Sequence, residues 1–475
     1  MTTSARGSAG MPAPRPPSDG PAPVRSGDDS APLTEDDAEA HVHGIAFKTG
    51  PPGRVGVELE WLVRRGHDPA LPVDQQRLAE ALALLAGPGA LPGQGRLTIE
   101  PGGQVEISSA PAAGVGECVS AVCGDLSAVR QAASLAGLSL AGHGLDPHRP
   151  PRRILEQPRY AAMEEFFDRS GPWGRVMMCS TASVQVCLDA GDETDGTSGF
   201  RWRWRLLHAI GPVLVAAFAN SPLRRGVPSG WKSTRQAVWA RLDPTRTRPP
   251  PRAEPAAPSA SNGGRPGATD PRSAWASYAL DAKVMCVRRD DSPGWTAPAG
   301  LTFRDWLRGG GERRPTADDL AYHLTTLFPP VRPHGHLELR MIDAQPGDSW
   351  VVPAAVVTAL ADDPAAAEAA MTAAEPVWRE PDRAPGTRGE SPWLRAARCG
   401  PDDPQLASAS ERCFEAAGPA LARLGAPAPV RHAVAAFADR YVARGRCPAD
   451  DRLDEARKRA GRQPGAHPTP LEESQ

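Results

Sequence analysis

The chain has no CxxC pair, no cysteine beside a histidine at zinc spacing and no apolar run long enough to cross a bilayer. Its eight cysteines (118, 123, 179, 187, 286, 399, 413, 447) are scattered, which excludes a disulfide framework or structural zinc site and leaves reduced, packing thiols as the expectation. The most apolar stretch, Leu206 to Ala219, carries His208 and Pro212 and falls short of the ~20 residues a spanning helix needs. Net charge is nearly absent as well. With 54 Lys and Arg against 56 Asp and Glu there is no basic field for duplex nucleic acid. The first forty residues lack the apolar centre of a secretory signal, so the expectation is a cytoplasmic protein with no membrane, nucleic-acid or obligate protein partner. No G-x-G-x-x-G or G-x-S-x-G string occurs, and Gly226 to Ser233 has the wrong spacing for a phosphate loop. Bound phosphate would have to be held by metal and arginines.

Breakers set the organisation. Residues 1–42 and 446–475, rich in charge, Gly and Pro, read as disordered tails, and 249–267 reads as a flexible surface loop. The body between, 43–445, is expected to be a single catalytic domain, and 40% hydrophobic residues suffice for its core. Strand-like runs at 54–63, 96–108, 138–144, 176–188, 284–288 and 335–342 alternate with helical spacing at 74–85, 116–136 and 200–220. The irregular order predicts an α+β protein whose mainly antiparallel sheet leaves one face open to a ligand.

Three runs carry the chemistry: Gly56-Val57-Glu58-Leu59-Glu60, Glu100-Pro101-Gly102-Gly103-Gln104-Val105-Glu106-Ile107-Ser108 and His336-Leu337-Glu338-Leu339-Arg340. A period of two sends Glu58 with Glu60, Glu106 with Gln104 and Ser108, and Glu338 with His336 and Arg340 to one face, and the Val, Leu and Ile residues to the other. Acidic alternation on one strand ordinarily marks a solvated face. Three such runs, with one cation among five glutamates, point to a multi-metal site, and the Pro-Gly-Gly turn fits a hairpin that returns Glu100 towards Glu106.

The strings VGVELEW (55–61), LTIEPGGQVEISSAP (97–111), MCSTASVQVCLD (178–189), STRQAVWARLDPTRT (233–247) and DLAYHLTTLFPPVRPHGHLELR (319–340) resemble glutamate–cysteine ligases, most closely the plant-type branch and its actinobacterial members of the ergothioneine pathway. The resemblance runs in order over about 50–360. It implies a glutamine-synthetase-like fold, in which a curved antiparallel sheet forms a funnel for ATP, glutamate and two to three Mg²⁺ ions. It also implies transfer of the ATP γ-phosphoryl group to the glutamate γ-carboxylate, followed by attack of the cysteine amine. On the same basis Glu58, Glu60, Glu100, Glu106 and Glu338 are expected metal ligands and Arg340 the arginine on the transferring phosphoryl group. Arg235 and Arg246 are candidates for the glutamate α-carboxylate or the ATP phosphates, and Gln185 and Thr181 for the substrate face. His143 would either complete a metal shell or serve as a hydrogen-bonded structural histidine. Another carboxylate–amine ligase, or a non-catalytic nucleotide- or amino-acid-binding relative, are the alternative readings.

Overall fold

In the computed structural model the described residues are 33–66, 68–251, 253, 270–289, 294–379 and 390–462. The strands are β1 (Val55–Arg65), β2 (Arg96–Ile99), β3 (Val105–Ser108), β4 (Leu138–Ala141), β5 (Ser183–Asp189), the short pair β6 (Leu223–Arg224) and β7 (Val227–Pro228), β8 (Val331–Pro333) and β9 (His336–Asp343). Seven of them form one antiparallel sheet in the order β2-β3-β1-β5-β9-β8, with β4 paired to the far end of β1. The α+β expectation holds.

Alternation explains which side is covered. Val57, Leu59, Val105, Ile107, Val184, Val186, Leu337 and Leu339 are all buried in the main core. There they meet the helices Val115–Leu135, Phe200–Phe218 and Val351–Asp362. Each fully buried Leu or Val contributes roughly 1.5–3 kcal/mol, so this apolar face fixes the register, and a one-residue slip would turn the carboxylates into the core. Phe200–Phe218 is apolar on nearly all sides and is accordingly enclosed, packing against β9 and four neighbouring helices.

Sequence periodicity fails in four places. Trp173–Ser180 is a helix where a strand from 176 is expected, and β5 begins only at Ser183. The short expected strand at 284–288 supplies only an isolated bridge, Cys286 to Thr296. Two helices lie where tails are expected: Glu35–Ala46, capped by the Thr34 side chain on Asp37 N, and Pro448–Arg462. Both extend the ordered body, the first through Ala38, Val42 and Ala46 in the core and the second through the ion pairs described below. The remaining tail expectations, for 1–32 and 463–475, and most of the loop expected at 249–267 (252 and 254–267) lie outside the described residues. Among the described residues all eight cysteines are free and no helix is long and apolar enough to cross a membrane.

Candidate active site

Register assembles the polar face. Glu60 lies directly opposite Glu106 on β3, and Glu58 opposite Gln185 on β5. Glu338 pairs across β5–β9 with Cys187, which itself faces Gly56. The β2–β3 turn is closed by Glu100 N donating to Gln104 O (2.8 Å) and Gly103 N to Glu100 O (2.8 Å). Gly102 must be glycine there, because a Cβ would lie 2.2 Å from the Cys179 carbonyl oxygen. Gln104 ties the hairpin to the C-terminal end of the helix Trp173–Ser180 by donating to Thr181 O (2.8 Å) and Met178 O (3.2 Å).

On the β1–β3 side the carboxylates are poorly compensated. Burial, then the charges of Glu338 and Glu106, push Glu58 well above the usual carboxylate range. Burial with Glu106 and Glu60 does the same to Glu100. Neither side chain has a hydrogen bond among the described residues. Burial and the Glu60 charge raise Glu106 to about 7, although Thr98 Oγ1 (3.0 Å) and Ser108 Oγ (3.2 Å) donate to it. Glu60 is raised by burial, and it accepts from Ser183 N (2.8 Å) and Gln185 Nε2 (3.2 Å).

On the β5–β9 side guanidinium groups dominate. Arg332 donates to Glu338 Oε2 from Nε (2.7 Å), and Arg340 Nη1 donates to Glu338 Oε1 and to Gln185 Oε1 (2.5 Å). Burial opposes the Glu338 charge, but Arg332 and Arg340 outweigh it and hold the carboxyl down at about 2. Gln185 thus links the halves, donating to Glu60 and accepting from Arg340. Arg235, 3% exposed, gives Nη2 to the Arg340 carbonyl (2.8 Å), while its Nε and Nη1 have no hydrogen-bond partner. Arg340 Nε is likewise buried and unpaired. Unpaired buried guanidinium N–H groups are costly unless an anion meets them.

Several expected site residues have partners other than those expected. Glu338, expected among the metal ligands, has both oxygens engaged by arginines. A buried carboxylate on the β8–β9 hairpin is neutralised most directly by cations on the same two strands. Arg246 is fully buried and each nitrogen is occupied, by Asp243 Oδ2 (3.2 Å), Thr326 O (2.7 Å) and Lys283 O, which makes it a structural pin. Thr181 turns its hydroxyl back to Met177 O (2.6 Å) at the end of the helix Trp173–Ser180. His143 Nε2 meets Arg64 Nη2 at 2.6 Å, and burial, then the charges of Arg452, Arg64 and His148, push the imidazole well below the usual histidine range. Sequence reasoning missed Arg332, whose alternation with His334 and His336 was a usable signal, and Arg159, whose charge acts on Glu100.

The donor set suits Mg²⁺. All its atoms are hard oxygens, their charge is only partly compensated, and Mg²⁺ binds through one or two carboxylates with water and phosphate completing the shell. Among the described residues no three acidic, His or Cys side chains close into a ready cage.

The profile of Glutamate-cysteine ligase family 2 (GCS2) matches residues 54–468. Glutamate--cysteine ligase EgtA of Mycobacterium tuberculosis (strain CDC 1551 / Oshkosh) is 39% identical over 433 residues, covering 90% of this chain and 91% of that protein. A chloroplastic glutamate--cysteine ligase of Medicago truncatula is 33% identical over 264 residues, 54% of this chain and 48% of that protein. Among solved structures, glutamate--cysteine ligase of Francisella tularensis in complex with AMP aligns with a TM-score of 0.45 and 12% identity, over 87% of this chain and 86% of that one.

Proposed function

The chain belongs to glutamate-cysteine ligase family 2, and from that premise we propose that it joins the γ-carboxylate of glutamate to the amine of cysteine, driven by ATP, in the cytoplasm and for ergothioneine synthesis. An amine cannot displace oxide from a carboxylate, so the carboxylate must first be activated. One γ-carboxylate oxygen attacks the γ-phosphorus of ATP, and ADP leaves. The cysteine amine then attacks the acyl carbon, loses a proton, and expels phosphate to give γ-glutamylcysteine.

The observation that carries this reading is the division of one sheet face: under-compensated carboxylates on β1 to β3, and guanidinium groups with unpaired N–H on β9 and at Arg235. Arg340 is the residue for the transferring phosphoryl group. Gln185 and Glu338 fix its Nη1, leaving Nε for phosphoryl oxygens, and such preorganised donors act most strongly where water is excluded. Arg235 offers Nε and Nη1 to an anionic group of glutamate or ATP. Glu58, Glu60, Glu100 and Glu106 would hold the Mg²⁺ ions, with Glu338 aiming the two arginines instead. Bound there, Mg²⁺ supplies neutralisation of the triphosphate during transfer.

Purified protein given glutamate, cysteine, ATP and Mg²⁺ should form γ-glutamylcysteine, detected by mass, with one phosphate released per product. A panel of small amines tests the selectivity. Failure to form the product, or a preference for another amine, would overturn the assignment to cysteine.

A further inference from the structure

Asp343 closes β9, three residues beyond Arg340, and is buried at 2% exposure. Strict alternation would turn it to the apolar side. The register between β5 and β9 shifts between Val184 and Val186, however, and places Asp343 opposite Ser183 on the polar face. Its carboxylate gathers the segment that carries Arg235. Oδ2 accepts from Asn220 N (2.9 Å) and Ser221 Oγ (2.7 Å), and Oδ1 accepts from Ser233 Oγ (2.9 Å). Ser221 Oγ in turn accepts from Arg235 N (3.1 Å), and Oδ1 lies 3.8 Å from Arg235 Nη1. Gly144 leaves room for this, because a Cβ there would sit 2.4 Å from the Asp343 carboxyl carbon.

From this geometry we infer that Asp343 is a positioning residue, which aims the Arg235 guanidinium and through it the carbonyl of Arg340, so that unpaired N–H groups face an oxyanion of substrate. The inference rests on the reading that Arg235 contacts an anionic substrate group, a carboxylate of glutamate or a phosphate of ATP. Asp343 itself touches neither. With Arg235 Nη2 fixed on the Arg340 carbonyl, the 3.8 Å ion pair biases the plane of the fork without consuming the N–H groups it presents.

The test is steady-state kinetics of Asp343→Asn and Arg235→Lys in the full chain, with KM for glutamate, KM for ATP, kcat and melting temperature measured for each. Asparagine keeps the shape and one of the two acceptor oxygens but removes the charge. The expected result is a rise of about 10- to 100-fold in one KM, the range covered by one hydrogen bond to a charged group, with the same KM raised by Arg235→Lys and the double variant less than additive. Which KM moves distinguishes carboxylate from phosphate. If Asp343→Asn lowers only the melting temperature while Arg235→Lys raises a KM, Asp343 is structural and the proposal is overturned. If neither variant moves a KM, the reading of Arg235 falls and the proposal with it. Should Asp343→Asn fail to fold, Ser221→Ala removes the hydroxyl between Asp343 and Arg235 N and should shift the same KM in the same direction; an unchanged KM would again overturn the proposal.

Discussion

The two halves of the sheet face are built from the same residue types and behave oppositely. On β1 to β3, Glu58 and Glu100 are partly buried without a hydrogen bond among the described residues, and their carboxyls are driven upward by desolvation, then by the charges of Glu338 and Glu106 on Glu58 and of Glu106 and Glu60 on Glu100. On β9, Glu338 is buried more deeply, at 1% exposure, but lies between Arg332 and Arg340 and is held down at about 2. Burial is common to both, so the neighbouring guanidinium groups decide the difference. One half keeps an excess of negative charge that favours cations, and the other keeps positive N–H groups that favour anions. A metal–triphosphate complex with a carboxylate beside it carries both complements.

The largest effect that would sharpen this contrast is on the anion side. Arg340→Lys keeps the charge but loses the planar fork whose Nη1 is held by Gln185 and Glu338 and whose Nε is left unpaired, and should lower kcat by roughly 10²-fold or more, with ATP affinity changed much less. A near-normal kcat with a lowered melting temperature would reduce Arg340 to a salt bridge. Next is the support beneath Arg235. Lys232 pairs with Asp402 (3.0 Å) and Asp450, and Ala449 N donates to Ala219 O (2.9 Å), so the helix Pro448–Arg462 braces the segment on which Arg235 sits. Truncation after Arg446 leaves Lys232 short of a partner and should destabilise the fold by about 3 kcal/mol, read in denaturant melts, with a parallel loss of turnover. Unchanged stability would make that helix an appendage.

A smaller effect is the pH response of the metal-free protein. Glu106, raised to about 7, binds its proton more tightly when folded than when unfolded, and Glu58, Glu60 and Glu100 shift the same way. Their stabilising share is full at pH below the unfolded value of about 4.5 and is lost as pH rises through the folded values. Glu338 works in the other direction, giving stability above about 4.5 that is lost as pH falls towards 2. In chelator, melting temperature should therefore be higher at about pH 5.5 than at about pH 8, and Mg²⁺ with nucleotide should narrow the gap. A higher melting temperature at the alkaline end would contradict the charge assignment.

The face itself was legible because a period of two with buried valines and leucines leaves glutamates one place to go. The site's inner partnerships were not. The register shift that turns Asp343 to the polar side inverts parity and leaves no mark in the alternation, and the choice of Glu338 over Glu58 as the carboxylate between arginines depends on the β8–β9 pairing of Arg332. Arg246 looked like a substrate ligand because arginines that pin buried carbonyls and arginines that bind anions have the same sequence signature. The C-terminal helix was hidden by its composition. Its place depends on Lys232 and Ala219, far away in the chain, and a window of charged residues contains no trace of them.

The division between the halves is tested most directly by comparing the melting temperatures of Glu58→Gln and Glu338→Gln with the parent protein, in chelator at about pH 8. Removing the under-compensated charge at Glu58 should raise the melting temperature, while removing Glu338 should lower it by the equivalent of about 3 kcal/mol, because two partly buried guanidinium groups lose their shared, fully buried partner. Equal destabilisation by both substitutions would contradict the account.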